Sequence, residues 1–521
     1  MNAKRSVRKK AIAGGLAVAG LAVGGLVAVS EASASGTGLS RYYTQDVTWR
    51  KCQRSPADDQ GKGLDQAGVR CAELRVPLDY ADPGGRSITV TISRLKAADT
   101  AHRIGAMLLN GGGPGGGSID LPPVFRTLMK DVGPRYDLIG MDPRSSGRST
   151  PLDCGWPTGT YSRSAGLDRA GFDRMVAFER DLATRCARRA PGLLPYISTR
   201  NTARDMDVVR AALGERRLSY WGASYGTYLG AVYTQLFPRR AGRVVLDSAV
   251  DPRRYGAERM LADAAPANET ALRQWAAWAA RHDAEYHLGA AQSAVLATVD
   301  RIDHAAAKRP LRVGDYRVDE HVVPFLLFNR LDDDRDEASA GLAEVVRVLK
   351  EAADGSRAEP TPDLEDTLAF LLTGTESATG SSQAAVLCGD RAVDRDPEVY
   401  WRRIERSRVH QPVIGPFVTD ISPCAFWPVT PRERPTQVRN GVPALIVAST
   451  GDTRTVYAGG QALHRLMTGS RLLTLSGARI HAVYPRYDDG CVNGAVNDYL
   501  RTGVLPATDP VCGTPAPRHA D

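Results

Sequence analysis

The segment Gly222-Ala223-Ser224-Tyr225-Gly226 constrains this chain more than any other. A short β-like run, Leu218 to Trp221, leads into it, and a helix-like run, Tyr225 to Phe237, leads out and stops at Pro238. A bare G-x-S-x-G match is common by chance. A serine set between a strand and a helix is not, and it reads as a nucleophile elbow. The sharp turn holds the hydroxyl out at the top of a sheet, beside the first N–H groups of the helix. Small residues two before and two after the serine let the strand and helix backbones approach closely.

A serine nucleophile needs a base to take its proton and a third group to orient that base. In elbow-type sheets these follow in the order Ser, Asp or Glu, His. Two later segments fit. After the apolar run Val442 to Ala448 comes Gly451-Asp452-Thr453, and after the run Arg471 to Leu475 comes Gly477-Ala478-Arg479-Ile480-His481. Asp452 and His481 therefore each sit just past the carboxyl end of a strand. His464 also follows Asp452 but falls in a helix-like run, Gly459 to Met467. His282, His287, His304, His321 and His410 lie in a different part of the chain. The negative charge that develops on an attacked carbonyl requires pre-aimed N–H donors. One is the backbone N–H of Tyr225. The other comes from the glycine cluster Gly111 to Gly117, interrupted at Pro114. That cluster lacks the Gly-Lys-Ser/Thr ending of a phosphate loop.

The strand and helix rhythm sets the architecture. Ser87 to Leu95 alternates as a strand, and Ala106 to Asn110 and Tyr136 to Met141 are short apolar strands. A helix capped at Asn201 or Thr202 buries Met206, Val209 and Leu213 and stops at Gly214. The elbow and the strand Arg243 to Val250 follow. Strands alternating with helices indicate an α/β class with a mostly parallel sheet. The rhythm breaks after Asp251. To about Arg439 the chain is mainly helical, with Leu342, Val345, Val346 and Leu349 at helical spacing, and the sheet pattern then resumes. This predicts a large inserted helical cap at 251–439, between core segments 35–250 and 440–521. The run Asp332 to Glu337 reads as the acidic first turn of a helix, not as a metal site. No metal and no cofactor are implied.

Residues 1–34 read as an export signal. Lys4, Arg5, Arg8, Lys9 and Lys10 precede an apolar stretch, Ala11 to Val29, and Ala32-Ser33-Ala34 supplies a cleavage site. Without these five basic residues and Glu31, the net charge falls from +8 to +4. The remaining charges are interspersed, which argues against a nucleic-acid partner. No second apolar stretch reaches spanning length, so no membrane association is expected after signal cleavage. The eight cysteines, Cys52, Cys71, Cys154, Cys186, Cys388, Cys424, Cys491 and Cys512, all follow the signal. An even count in an exported chain predicts disulfides, and pairing in sequential order closes the shortest loops. The polar stretch from Ser35 to about Gln66 reads as a surface arm pinned through Cys52 and Cys71.

Taken together, these motifs resemble the secreted tripeptidyl-aminopeptidase branch of the prolyl-aminopeptidase-like α/β-hydrolases of actinobacteria. The resemblance runs from about Val76 to Cys512. It rests on Asn110 to Gly116, Asp142-Pro143-Arg144 with Gly147-Arg148-Ser149, and Asn201 to Asp205. Further support comes from Trp221 to Gly230, Val245-Leu246-Asp247, Gly451-Asp452 and the tail Cys491-Val492 through Tyr499-Leu500. It implies an α/β-hydrolase fold and a secreted serine peptidase that acts on peptides with free N-termini, often releasing tripeptides. By motif, Ser224 is the nucleophile, Asp452 the orienting acid and His481 the base, with Gly113 and Tyr225 as oxyanion donors. Asp390, in Cys388-Gly389-Asp390, matches a recurrent family position and is the candidate for binding the substrate's ammonium group. Two positions depart from the pattern: Ile480 precedes the histidine where a small residue is usual, and Gly111 replaces the first proline of Asn-Pro-Gly-Gly-Pro. An esterase or lipase, or a prolyl aminopeptidase releasing single residues, uses the same triad. A non-catalytic binding protein on this fold would require a broken triad, and no member is missing.

Overall fold

The computed structural model describes residues 36–513. The basic and apolar N-terminal stretch read as a signal lies outside the described residues. The strands, in chain order, are β1 (Arg70–Pro77), β2 (Ser87–Leu95), β3 (Gly105–Asn110), β4 (Tyr136–Asp142), β5 (Leu218–Ala223), β6 (Ala241–Asp247), β7 (Leu311–Val313), β8 (Tyr316–Val318), β9 (Ala444–Ser449), β10 (Ser470–Ser476) and β11 (Val511–Gly513). Nine of them form one sheet in the order β1-β2-β4-β3-β5-β6-β9-β10-β11, while β7 and β8 form a separate hairpin. β1 and β2 pair antiparallel, as do β2 and β4, and every other neighbour in the large sheet is parallel. This is the α/β-hydrolase fold with a mostly parallel sheet.

Every residue of β3, β5 and β9 is buried, as expected of strands covered by helices on both faces. The parallel strands point the same way, so the loops after β3, β5, β6, β9 and β10 gather at one edge of the sheet. That edge is where open α/β sheets place their ligands.

The chain between β6 and β9 is mainly helical and has its own hydrophobic core, including Leu272, Trp275, Val299, Leu327, Leu342, Val346, Leu349 and Phe417. Its last part joins the main core through Val386, Leu387, Cys388 and Trp427. Residues 143–198 also leave the sheet. They carry a long helix, Arg169–Arg189, and bind the helical segment directly: Gly159 N–H donates to Phe370 O at 2.7 Å and Trp156 N–H to Ser377 Oγ at 2.6 Å. The sequence reading missed that helix and the edge strand β1. It also placed the cap of the helix Thr199–Ala212 at Asn201 or Thr202, whereas Ser198 is the cap and accepts from Asn201 N–H. The four disulfides are Cys52–Cys71, Cys154–Cys186, Cys388–Cys424 and Cys491–Cys512.

Candidate active site

Ser224 lies at the junction of β5 and the helix Tyr225–Leu236, with φ 56° and ψ −123°. A non-glycine residue with positive φ is strained, and such strain persists only where the surroundings enforce it. The enforcing contacts are visible. Ser224 N–H donates to Asp247 O at 3.0 Å, and Thr227 Oγ1 donates to Ser224 O at 2.6 Å. Gly226 is required by close approach, since a Cβ there would lie 2.8 Å from Asn110 O. The glycine cluster after β3 lies against the serine. A Cβ on Gly112, whose φ is +109°, would sit 3.0 Å from Ser224 Cβ. Gly112 is thus the member of the cluster packed on Ser224, with Gly113, also at positive φ, one residue further on.

Asp452 and His481 meet. Their strands, β9 and β10, pair in parallel register up to Ser449 and Leu475, so the loops beyond them leave side by side. His481 Nδ1 lies 2.9 Å and 3.1 Å from the two oxygens of Asp452. The same carboxylate accepts from Arg454 N–H, Thr455 N–H and Thr455 Oγ1 at 2.7, 3.0 and 3.0 Å. Only 2% of Asp452 is exposed. Burial pushes its carboxyl up, but the His481 charge and these donors outweigh burial and hold it below its ordinary value.

Asp247 joins the two halves. Its carbonyl accepts from Ser224 N–H, and its buried carboxylate accepts from Val483 N–H at 3.0 Å and Tyr484 N–H at 2.7 Å. Next to it, Ser248 Oγ accepts from Ala482 N–H at 2.9 Å. One strand end therefore anchors both the elbow and the loop that carries His481. Among the described residues, no hydrogen bond joins Ser224 Oγ to His481. A catalytic contact of this kind often tightens only when substrate binds. Sequence reasoning quoted Asp247 only as part of a motif. A lone acid closing the apolar run Val244-Val245-Leu246 was the signal that it has work to do.

Asp390 stands elsewhere. Its carboxylate accepts from Thr199 N–H at 2.7 Å, from Thr199 Oγ1 at 2.5 Å and from Tyr255 OH at 3.2 Å. Thr199 Oγ1 also meets Tyr225 OH at 2.9 Å. Burial pushes Asp390 up to about 7. An ammonium group would have to displace these donors. The cleft that Asp390 borders, about 370 Å³, is lined also by Tyr196, Arg200, Arg204 and Glu433, and by none of Ser224, Asp452 and His481.

The acidic run differs from its reading as one helical turn. The helix begins only at Asp336, and Asp332 to Asp334 form a strap beside the histidine loop. Asp333 and Ile480 form an antiparallel bridge, and His481 N–H donates to Asp332 O at 3.0 Å.

A strained serine at the end of a central parallel strand, with its elbow tied to the loop of a histidine paired to a buried aspartate, defines the class: the protein is a serine hydrolase of the α/β-hydrolase fold. Residues 105–323 match the family model described as alpha/beta hydrolase fold. Residues 411–512 match the one described as TAP-like protein. The chain is 35% identical to Tripeptidyl aminopeptidase of Streptomyces coelicolor, covering 86% of this chain and 84% of that protein. It is 30% identical to Serine protease Hip1 of Mycobacterium tuberculosis, covering 90% and 91%. It is also 30% identical to Carboxylesterase B of Mycobacterium tuberculosis, covering 97% and 99%. The chain belongs to the tripeptidyl aminopeptidase family of α/β-hydrolases.

Proposed function

We propose that the protein is an exported serine peptidase that removes short peptides, chiefly tripeptides, from free N-termini. Ser224 Oγ attacks the scissile carbonyl while His481 Nε2 takes its proton. Asp452 accepts the Nδ1–H and so fixes the tautomer and ring orientation of the base. The imidazolium then protonates the leaving amine, and water attacks the acyl-enzyme by the same route in reverse. The N–H groups of Tyr225 and Gly113 face the developing oxyanion, each worth about 3 kcal/mol in the transition state. The helical segment 251–439 acts as a cap over the strand ends and limits access to short or loose N-termini.

The observation that carries this reading is the pairing of His481 with the buried Asp452, on a loop tied through Asp247 to the strained Ser224 elbow. The named activities of the relatives support peptide substrates, and the four disulfides support export. The test compares tripeptidyl- and aminoacyl-nitroanilides, each with a free or a blocked N-terminus. Preferential cleavage of the free tripeptidyl substrate is expected, and equal cleavage of blocked substrates sinks the aminopeptidase reading. The full occupancy of Asp390 and the relative named Carboxylesterase B favour a second reading, ester hydrolysis on the same triad. Faster turnover of nitrophenyl acyl esters than of every peptide substrate would select it.

A further inference from the structure

The acid and the base of the site are each gripped by the helical segment, whereas the serine is not. On the acid's side, Asn268 Nδ2 donates to Thr453 O at 2.6 Å, and Arg454 Nη1 donates to Asn268 Oδ1 at 3.1 Å. The Arg454 guanidinium also lies 3.6 Å above the Phe328 ring and donates to Phe328 O. On the base's side, Asp334 N–H donates to Arg479 O at 3.0 Å, and Arg479 N–H donates to Asp334 Oδ2 at 2.7 Å. Arg479 Nη1 donates to Leu331 O at 2.8 Å and to Asp333 O at 2.9 Å. Arg486 reaches the carboxylates of Asp332 and Asp333 and donates to His481 O at 3.1 Å. One carbonyl joins the two sides: Leu331 O accepts from Thr453 Oγ1, at 3.1 Å, as well as from Arg479.

The sheet holds the same loop from the other end, through Asp247 and Ser248 on residues 482–484. Ser224, by contrast, is held by Asp247 O, Thr227 and Gly112, all on the sheet side. Residues 479–481 thus lie between two bodies, and the Ile480 side chain, 0% exposed, belongs to the sheet-side apolar cluster with Val447, Leu475 and Val483. Ile480, directly before the histidine, is the residue that lies opposite Asp333 in the bridge.

We propose that the strap Leu331–Asp334, with Arg479 and Asn268 as its fastenings, is a positioning device that sets the place of the Asp452–His481 pair relative to Ser224. The proposal rests on the triad reading above. The helical segment then completes the catalytic geometry as well as covering it, and loosening the strap slows the chemical step without weakening substrate binding.

Asp334→Ala and Arg479→Ala test this, with Asp334→Asn as the conservative partner that keeps an acceptor for Arg479 N–H. Turnover is normalised to folded enzyme, and the rate of Ser224 labelling by a fluorophosphonate is followed in parallel. A displacement of the base by an ångström or less predicts a fall of about 10- to 100-fold in kcat and in labelling rate, with KM within about twofold. Asp334→Asn should return to within about threefold of the parent. An unchanged kcat per folded molecule, or a change confined to KM, overturns the proposal. Should the alanine variants not fold, Arg486→Gln at an exposed side chain carries the same test, with a fall of at least about threefold expected and no fall overturning it. Ser224→Ala separates the two ideas: turnover surviving in that variant defeats the triad reading, whatever the strap variants do.

Discussion

Asp452 and Asp390 are both buried carboxylates, at 2% and 6% exposure, yet they sit in opposite electrostatic states. Asp452 faces His481 and three further donors and is held below its ordinary value. Asp390 takes its hydrogen bonds from neutral donors, Thr199 and Tyr255, and burial outweighs these and the charge of Arg391 and carries it up to about 7. Burial is common to the two, so the partner makes the difference. An ionised carboxylate beside an imidazole can orient and stabilise a base. A carboxyl near neutrality among hydroxyls serves as a brace, here linked to the Tyr225 hydroxyl by way of Thr199.

The largest expected effect sets the scale for this contrast. Ser224→Ala should remove turnover by about 10⁴-fold or more in a nitroanilide assay. Asp452→Asn should come close to it, with kcat down about 10³- to 10⁴-fold because the wrong tautomer of His481 is then favoured. Asp390→Asn should cost less than about tenfold, since it touches no reacting group. Comparable losses in the two Asp→Asn variants would erase the distinction.

The pH dependence of stability sharpens it. A carboxyl at about 7 when folded and 3.8 when unfolded keeps its proton in the folded state over that whole window. Its favourable contribution is therefore complete below 3.8 and is lost as pH rises through 7. The stability of the parent relative to Asp390→Asn should fall by roughly 4 kcal/mol at most between pH 4 and pH 8, read from denaturant unfolding. Asp452 has the reverse sign: its contribution is present above 3.8 and is lost as pH falls further. The smallest effect belongs to Thr199→Val, which deprives Asp390 and Tyr225 of a shared hydroxyl. It should cost about 1–3 kcal/mol of stability in the same unfolding assay.

Much of the candidate site's layout is legible in the sequence. The elbow announced itself because close backbone contact admits only small residues, as the distances around Gly222 and Gly226 bear out. The loops of Asp452 and His481 lie side by side because their strands are adjacent and parallel, in keeping with the placing of each residue just past the carboxyl end of a strand. The helix Arg169–Arg189 escaped notice for a physical reason. Its buried stripe, Phe172, Met175, Glu179, Leu182 and Cys186, includes a glutamate at 0% exposure, so the apolar period is broken at its centre. The edge strand β1 reads Arg-Cys-Ala-Glu-Leu-Arg-Val-Pro, with charged residues at the positions that face solvent. The strap was misjudged because an acidic run ahead of a helix looks alike whether it caps that helix or pairs with a loop nearly 150 residues away.

Residue order along the chain was enough to say that a serine, an acid and a histidine would stand, in that order, at the ends of three strands, since strand, turn and helix signals act over a few neighbours. Which carboxylate keeps its charge, and which loops the helical segment grips, follow from folding alone. Field strength and burial depend on groups such as Thr199 against Asp390, or Leu331 against Thr453 and Arg479, that meet only after more than a hundred intervening residues have packed.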